Sequence, residues 1–174
     1  MNSAILHSLL LVLLGASCTL VSGGYFKLET IDSVYEENPY MGEWSSTIHN
    51  DTRFSLDVPV KKEMPCDTMV NVDMIHEQMG EIFIYEKPLP DALNDDVLGK
   101  RIVAHGLPSE KFPTTCPVTP NMEYKISQFN VDHEALKSLP EGKITGKFVL
   151  SIDKKPVYYL KYTATSTVDK AMIN

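Results

Sequence analysis

The chain has 174 residues, of which 43% are hydrophobic, 22% charged and 9% aromatic, and its formal net charge at pH 7 is -7. This composition is typical of a globular protein and excludes a disordered, collagen-like or multi-pass membrane chain. The balance of 16 Lys and Arg against 23 Asp and Glu argues against a nucleic-acid-binding protein with a broad basic face.

The first 23 residues have the features of an export signal. They contain no Lys, Arg, Asp or Glu, and the apolar run 5–14 has the length of a signal-peptide core rather than of a membrane span. Small residues follow and offer a cleavage site after Gly23. We predict a signal peptide over 1–23 and one secreted, extracellular domain over 24–174. No second run of spanning length follows, so we expect no stable membrane insertion.

Two cysteines and one sequon suit the secretory route. If Cys18 leaves with the signal, Cys66 and Cys116 remain, and such a pair in an oxidising compartment is more often bridged than free. A bridge would close a loop of about 50 residues and stabilise the fold by ~3 to 4 kcal/mol in the chain-entropy model. If the two segments do not approach each other, both thiols stay free. A sequon for N-glycosylation begins at Asn50.

Apolar and polar residues alternate along much of the chain, which is typical of half-buried β-strands. The stretches 143–153 and 157–165 alternate in this way, and a turn at Lys155-Pro156 between them predicts an antiparallel hairpin. The stretch 53–61 alternates with Phe54, Leu56, Val58 and Val60 on one side. Weaker strand candidates are 25–31, 68–75, 81–86, 101–105 and 124–129.

About eight short strands punctuated by Pro and Gly predict an all-β fold, an antiparallel β-sandwich or β-cup. The best helix candidate covers 132–139 and ends before Pro140, so we expect at most one short helix. No internal repeat, low-complexity tract or composition break indicates a second domain.

The sequence contains no complete motif of a catalytic or metal site. His76 begins a sequence like His-Glu-x-x-His, but Gly80 occupies the position of the second histidine. Asp91, Asp95 and Asp96 match no calcium-loop spacing, and we interpret them as a solvated turn. A nucleophile elbow and a phosphate-binding loop are also absent from the sequence. We therefore expect a protein that is not an enzyme and takes no metal or cofactor.

Several ordered elements of the second half resemble one family. They are Asp-Ala-Leu-Asn-Asp-Asp at 91–96, Gly-Leu-Pro at 106–108, Cys-Pro-Val at 116–118, the strand 124–131 and Leu-Pro-Glu-Gly at 139–142. Together with Tyr-Phe-Lys-Leu-Glu at 25–29, they resemble secreted arthropod proteins related to the ganglioside activator protein and the ML lipid-recognition family. That family carries more disulfides than this chain can form, so its partner for Cys116 does not carry over.

The resemblance implies a β-cup that holds a lipid or long-chain hydrocarbon in an apolar cavity between its sheets. It also implies a secreted carrier or lipid-presenting cofactor, with a role in contact chemosensation or pheromone response and an extracellular receptor as a possible partner. On this hypothesis the ligand touches the inward residues of the most regular strands. These are Phe54, Leu56, Val58, Phe148, Leu150, Ile152, Tyr158, Leu160 and Tyr162.

The alternative is an extracellular adhesion or receptor-binding sandwich with a filled core and no ligand. The two hypotheses differ in one structural feature, because a lipid carrier needs a cavity of roughly 300 Å³ or more between its sheets.

Overall fold

A computed structural model describes residues 24–131 and 134–168. The predicted signal peptide, residues 1–23, lies outside the described residues. The strands are, in chain order, β1 (Gly24–Val34), β2 (Ser45–Asn50), β3 (Arg53–Val60), β4 (Met69–His76), β5 (Gly80–Pro88), β6 (Gly106–Leu107), β7 (Met122–Asn130), β8 (Gly142–Ile152) and β9 (Lys155–Val168). The helices are α1 (Leu89–Asn94), α2 (Gly99–Ala104) and α3 (Glu134–Lys137). No helix in the described residues combines the length and the apolar character needed to cross a membrane.

The strands form two sheets that pack on a shared apolar core. One sheet has the order β1-β9-β8-β4-β5 and the other β2-β3-β7-β6, and every pairing is antiparallel. The inner faces carry the alternating apolar residues, because successive side chains of a strand point to opposite sides. This confirms the predicted all-β antiparallel sandwich.

The β8–β9 hairpin forms as predicted, but its turn lies two residues earlier than expected. Asp153 and Lys154 make the turn with φ values of 51° and 63°, the left-handed geometry of a two-residue hairpin loop. Lys155 and Pro156 already pair within the ladder, and Pro156 lies opposite Ser151, beside a register shift. The sequence suggested the turn at Pro156 because proline is common in turns.

The expectation of at most one short helix is too low. The stretch 101–105, predicted as a strand, lies mostly in α2. The carboxylate of Asp95 accepts hydrogen bonds from the backbone N–H groups of Leu98 (2.8 Å) and Gly99 (3.2 Å), and so provides partners for N–H groups that the start of the helix leaves free. The β-branched Ile102 and Val103 suggested a strand from local preference alone. Of the predicted helix 132–139, the described residues show the single turn α3.

One end of the sandwich is held together covalently. Cys66 and Cys116 form a disulfide with a Cα–Cα distance of 5.3 Å, as predicted. Beside it, Met64 and Val118 pair as an isolated antiparallel bridge, with N–H···O distances of 3.4 and 3.2 Å. The bridge joins the segment before β4 to the segment before β7, and therefore links the two sheets.

Candidate functional site

An apolar cavity of about 440 Å³ lies between the two sheets. Binding sites for small molecules have volumes of roughly 300 to 1,000 Å³ and are lined mainly by apolar side chains. Strands of both sheets supply the wall, and Phe, Leu, Ile, Val and Met dominate it. The cavity therefore has the size and lining of a site for an apolar ligand.

The cavity is closed along one side of the sandwich by direct contact between the sheets. The hydroxyl of Ser46 on β2 donates to the carbonyl of Ile31 on β1 at 2.8 Å. The backbone N–H of Leu28 on β1 donates to the carbonyl of Asp51, beyond the end of β2, at 2.6 Å. Along this side the two sheets are thus joined by hydrogen bonds.

On the opposite side of the sandwich, one connecting segment forms the wall of the cavity. Residues 89–105 run from β5 to β6, carry α1 and α2, and are here called the crossover. Leu89 and Ala92 of α1 are buried against the core, and Leu98 and Ile102 also line the cavity. The spacing of three residues in the first pair and of four in the second puts the two members of each pair on the same side of their helical segment. The crossover therefore covers the space that the two sheet edges leave between them.

The wall residues differ in exposure from one part of the cavity to another. Met41, Trp44 and Met64 are buried, with at most 6% of each exposed. By contrast, Val97 is 55% exposed, and Phe83 and Arg101 are half-buried. The cavity consequently opens to solvent between β5 and the start of α2.

Seven of the nine predicted ligand-contact residues line the cavity. They are Phe54, Leu56, Val58, Phe148, Leu150, Leu160 and Tyr162. Tyr158 is buried but lies behind Trp44, whose ring stacks on it with a centroid distance of 3.6 Å. Ile152, the last residue of β8, is buried outside the cavity wall. Tyr158 therefore belongs to the packed core, whereas Ile152 is buried at the end of β8 apart from that core.

Sequence reasoning missed Trp44, Arg101 and the crossover as parts of the cavity wall. Trp44 lies between β1 and β2 in a segment without alternation, so no periodic pattern marked it. The pair Leu98 and Ile102 has the i, i+4 spacing of a helix face. That spacing could have identified the helix, and with it a cover over the sheet edges.

A half-buried carboxylate fixes the crossover to β5. Besides the two backbone N–H groups at the start of α2, Asp95 accepts hydrogen bonds from the Tyr85 hydroxyl and, at 3.0 Å, from Lys87. Burial alone would raise the pKa of Asp95, but the hydrogen bonds from Leu98, Tyr85, Lys87 and Gly99 outweigh it and hold that pKa far below its usual range. The interpretation of a solvated turn is therefore wrong for Asp95, whose side chain is only 10% exposed.

Asp96, which also lies in this turn, is solvated as expected. Asp96 contacts Lys100 at 2.7 Å on the surface, with 87% of its side chain exposed. The Tyr85 hydroxyl, by contrast, is shielded. Burial and the neighbouring Asp95 carboxylate raise the pKa of Tyr85, so Tyr85 remains a hydrogen-bond donor.

The histidines occupy separate structural positions. His76 is fully buried and contacts the carbonyl of Pro140 at 3.1 Å, His49 contacts the Ser55 hydroxyl at 2.7 Å, and His105 contacts a backbone carbonyl on β7. His7 and His133 lie outside the described residues. Within 24–131 and 134–168, no three His, Cys, Asp or Glu side chains group in a way that could hold a metal ion.

Asn50, the sequon asparagine, lies exposed at the end of β2. Its side-chain oxygen accepts hydrogen bonds from the backbone N–H groups of Thr52 (3.0 Å) and Arg53 (2.9 Å), which shape the β2–β3 turn.

No protein-family model matches the chain, and no curated protein is significantly similar to it.

Proposed function

We propose that the protein is a secreted carrier or presenting cofactor for a lipid or long-chain hydrocarbon, of the type found in the ML lipid-recognition family. The observation that carries this proposal is the apolar cavity of about 440 Å³ between the sheets. A sandwich that serves only for adhesion can fill this space with its own side chains. An empty apolar cavity destabilises a fold, because its lining loses packing contacts.

The energetics favour an acyl or alkyl chain as the ligand. Burial gains ~0.8 kcal/mol per methylene, so a chain of about 16 carbons gains on the order of 12 kcal/mol before the cost of immobilising it. Met41, Met64 and Met74 contribute to the wall. Their flexible thioethers can adapt to chains of different shape. No catalytic group is required for such binding.

Two features support the extracellular part of the proposal. The Cys66–Cys116 disulfide is of the kind that persists in oxidising compartments. Asn50 is exposed and its sequon is therefore accessible to glycosylation. The role in contact chemosensation or pheromone response rests on the resemblance of the sequence motifs alone.

The proposal is tested by asking whether the protein leaves a eukaryotic cell with lipid inside it. We expect protein secreted from insect cells to show, in native mass spectrometry, an added mass that organic extraction identifies as lipid. The matched variants are Val58→Trp, which fills the cavity, and Val34→Trp, which adds the same ring at a position on β1 that is 40% exposed. Val58→Trp should lose the added mass and Val34→Trp should keep it.

Two results would overturn the proposal. One is secreted protein that carries no lipid and takes up neither a fluorescent fatty acid nor a long-chain alkane. The other is lipid that remains at full occupancy in Val58→Trp, because the lipid would then lie outside the cavity.

A further inference from the structure

The cavity wall contains one charged residue among its described members, Arg101 on α2. Every other residue of the wall is apolar or uncharged. Arg101 lies on the side where the cavity opens, near the exposed Val97, and is itself half-buried. A single cation at the entrance of an apolar cavity is a recognition element for the polar end of an amphiphile.

The guanidinium group of Arg101 is held in place by two contacts with β7. Its Nη2 donates a hydrogen bond to the carbonyl of Asn130 at 2.8 Å. Its central carbon lies 5.2 Å from the ring centroid of Phe129, which also lines the cavity. The stem of the side chain can follow the apolar wall while the charged group stays at the entrance.

The fixed guanidinium retains donors for a ligand. The group has five N–H donors in a planar fork that matches a carboxylate, and the contact with Asn130 uses one Nη2 donor. Of the ion pairs between described residues, none involves Arg101.

The negative charge of the rest of the protein means that an anionic ligand depends on Arg101 for electrostatic attraction. The formal net charge is -7, so the overall field repels an anion. Attraction for a carboxylate must therefore come from a local cation. Arg101 is the cation that the described wall offers.

We propose that the ligand is a long-chain carboxylic acid, with its alkyl chain between the sheets and its carboxylate paired with Arg101; this inference rests on the carrier function proposed above. The other ligand classes compatible with the cavity, neutral hydrocarbons and alcohols, have no group that needs a cation. The proposal therefore predicts discrimination by head group at constant chain length.

The test compares hexadecanoic acid, hexadecanol and methyl hexadecanoate as competitors of an uncharged fluorescent probe at pH 7.5. We expect the acid to bind at least about tenfold more tightly than the alcohol or the ester, because a charge-assisted bidentate pair is stronger than a neutral hydrogen bond. In Arg101→Met this preference should disappear, while the alcohol affinity stays within about twofold of the original. Arg53→Met, at the other arginine of the chain and outside the wall, should keep the full preference.

The preference between head groups separates recognition from structural damage. Loss of acid and alcohol affinity to the same degree in Arg101→Met would overturn the proposal, because Arg101 would then act only in packing. Equal affinities of the unchanged protein for all three competitors would overturn it too, although the carrier function would stand. No binding of any competitor would instead remove the carrier function itself. Should Arg101→Met fail to fold, Arg101→Gln, which keeps a donor for Asn130, takes its place with the same expected loss of preference.

Discussion

Leu150 and Ile152 are neighbours on the inner face of β8, yet they have different surroundings. Both are buried, but Leu150 lines the cavity and Ile152 does not. Because a polar group that faces a cavity can be hydrated and one buried away from the cavity cannot, the same substitution should have different effects at the two positions. This contrast tests at the level of single residues whether the cavity is a binding site.

We expect Leu150→Gln to reduce the uptake of a fluorescent fatty acid and to lower the free energy of unfolding only modestly. Ile152→Gln should cost about 2 to 4 kcal/mol, because it leaves an amide buried away from water, and should leave the uptake per folded molecule unchanged. The measurements are the urea midpoint and the probe titration of each variant. Equal destabilisation by the two substitutions, with uptake unchanged in both, would contradict the prediction.

At the level of elements, the crossover depends on the carboxylate of Asp95. Its folded pKa is depressed below the unfolded value, so the unfolded chain takes up the proton first as the pH falls. The stability that this group contributes is complete above the unfolded pKa of ~3.9 and is lost progressively below it. The crossover should therefore stay attached to β5 at all pH values above about 5.

Asp95→Asn removes the charge and keeps the size of the side chain. We expect the variant to have a lower urea midpoint than the original protein at pH 7, and the difference to shrink as the pH is lowered from 5 to 3. Asp96→Asn is the matched control, because its ion pair with Lys100 is exposed and should contribute less than about 1 kcal/mol. A pH-independent difference for Asp95→Asn would show that the charge is not what stabilises the crossover.

The elements that the sequence predicts well are those whose burial alternates with the strand period. In β3, β8 and β9 the apolar residues repeat every second position, because one face packs inward while the other meets solvent or other side chains. Seven residues that this pattern assigned to an inward face line the cavity, whereas the expectation of a cavity came from the family resemblance. The pattern depends only on local sequence, which is why the residues could be assigned without knowing the partner strands.

The elements that the sequence does not predict depend on contacts between distant residues. β2 is an edge strand with the sequence Ser-Ser-Thr-Ile-His-Asn, whose polar residues hide its alternation. The start of α2 is hydrogen-bonded to Asp95, which in turn is held by Tyr85 and Lys87 on β5. Trp44 joins the wall through its stacking on Tyr158. No local pattern reports such contacts.

At the level of the whole molecule, the disulfide fastens one end of the sandwich. The chain-entropy model assigns ~3 to 4 kcal/mol to a bridge that closes a loop of this length, so we expect the variant Cys66→Ala with Cys116→Ala to lose that amount in urea unfolding. Lipid uptake by the folded fraction should persist, because neither cysteine contributes to the cavity wall. Intact mass with and without reductant checks the bridge itself. Two thiols that react with an alkylating agent before reduction would contradict it.

The pairing of β1 with β9 has a consequence for biosynthesis. Gly24 at the start of β1 lies opposite Val168 at the end of β9, so the first described strand finds its neighbour only when the last one has left the ribosome. Pairings between such distant segments form late, because the intervening chain must first be made and its loop closed. The five-stranded sheet that walls the cavity is therefore complete only after β9 has been made. Any cargo held between the sheets is enclosed only after synthesis of the domain is complete.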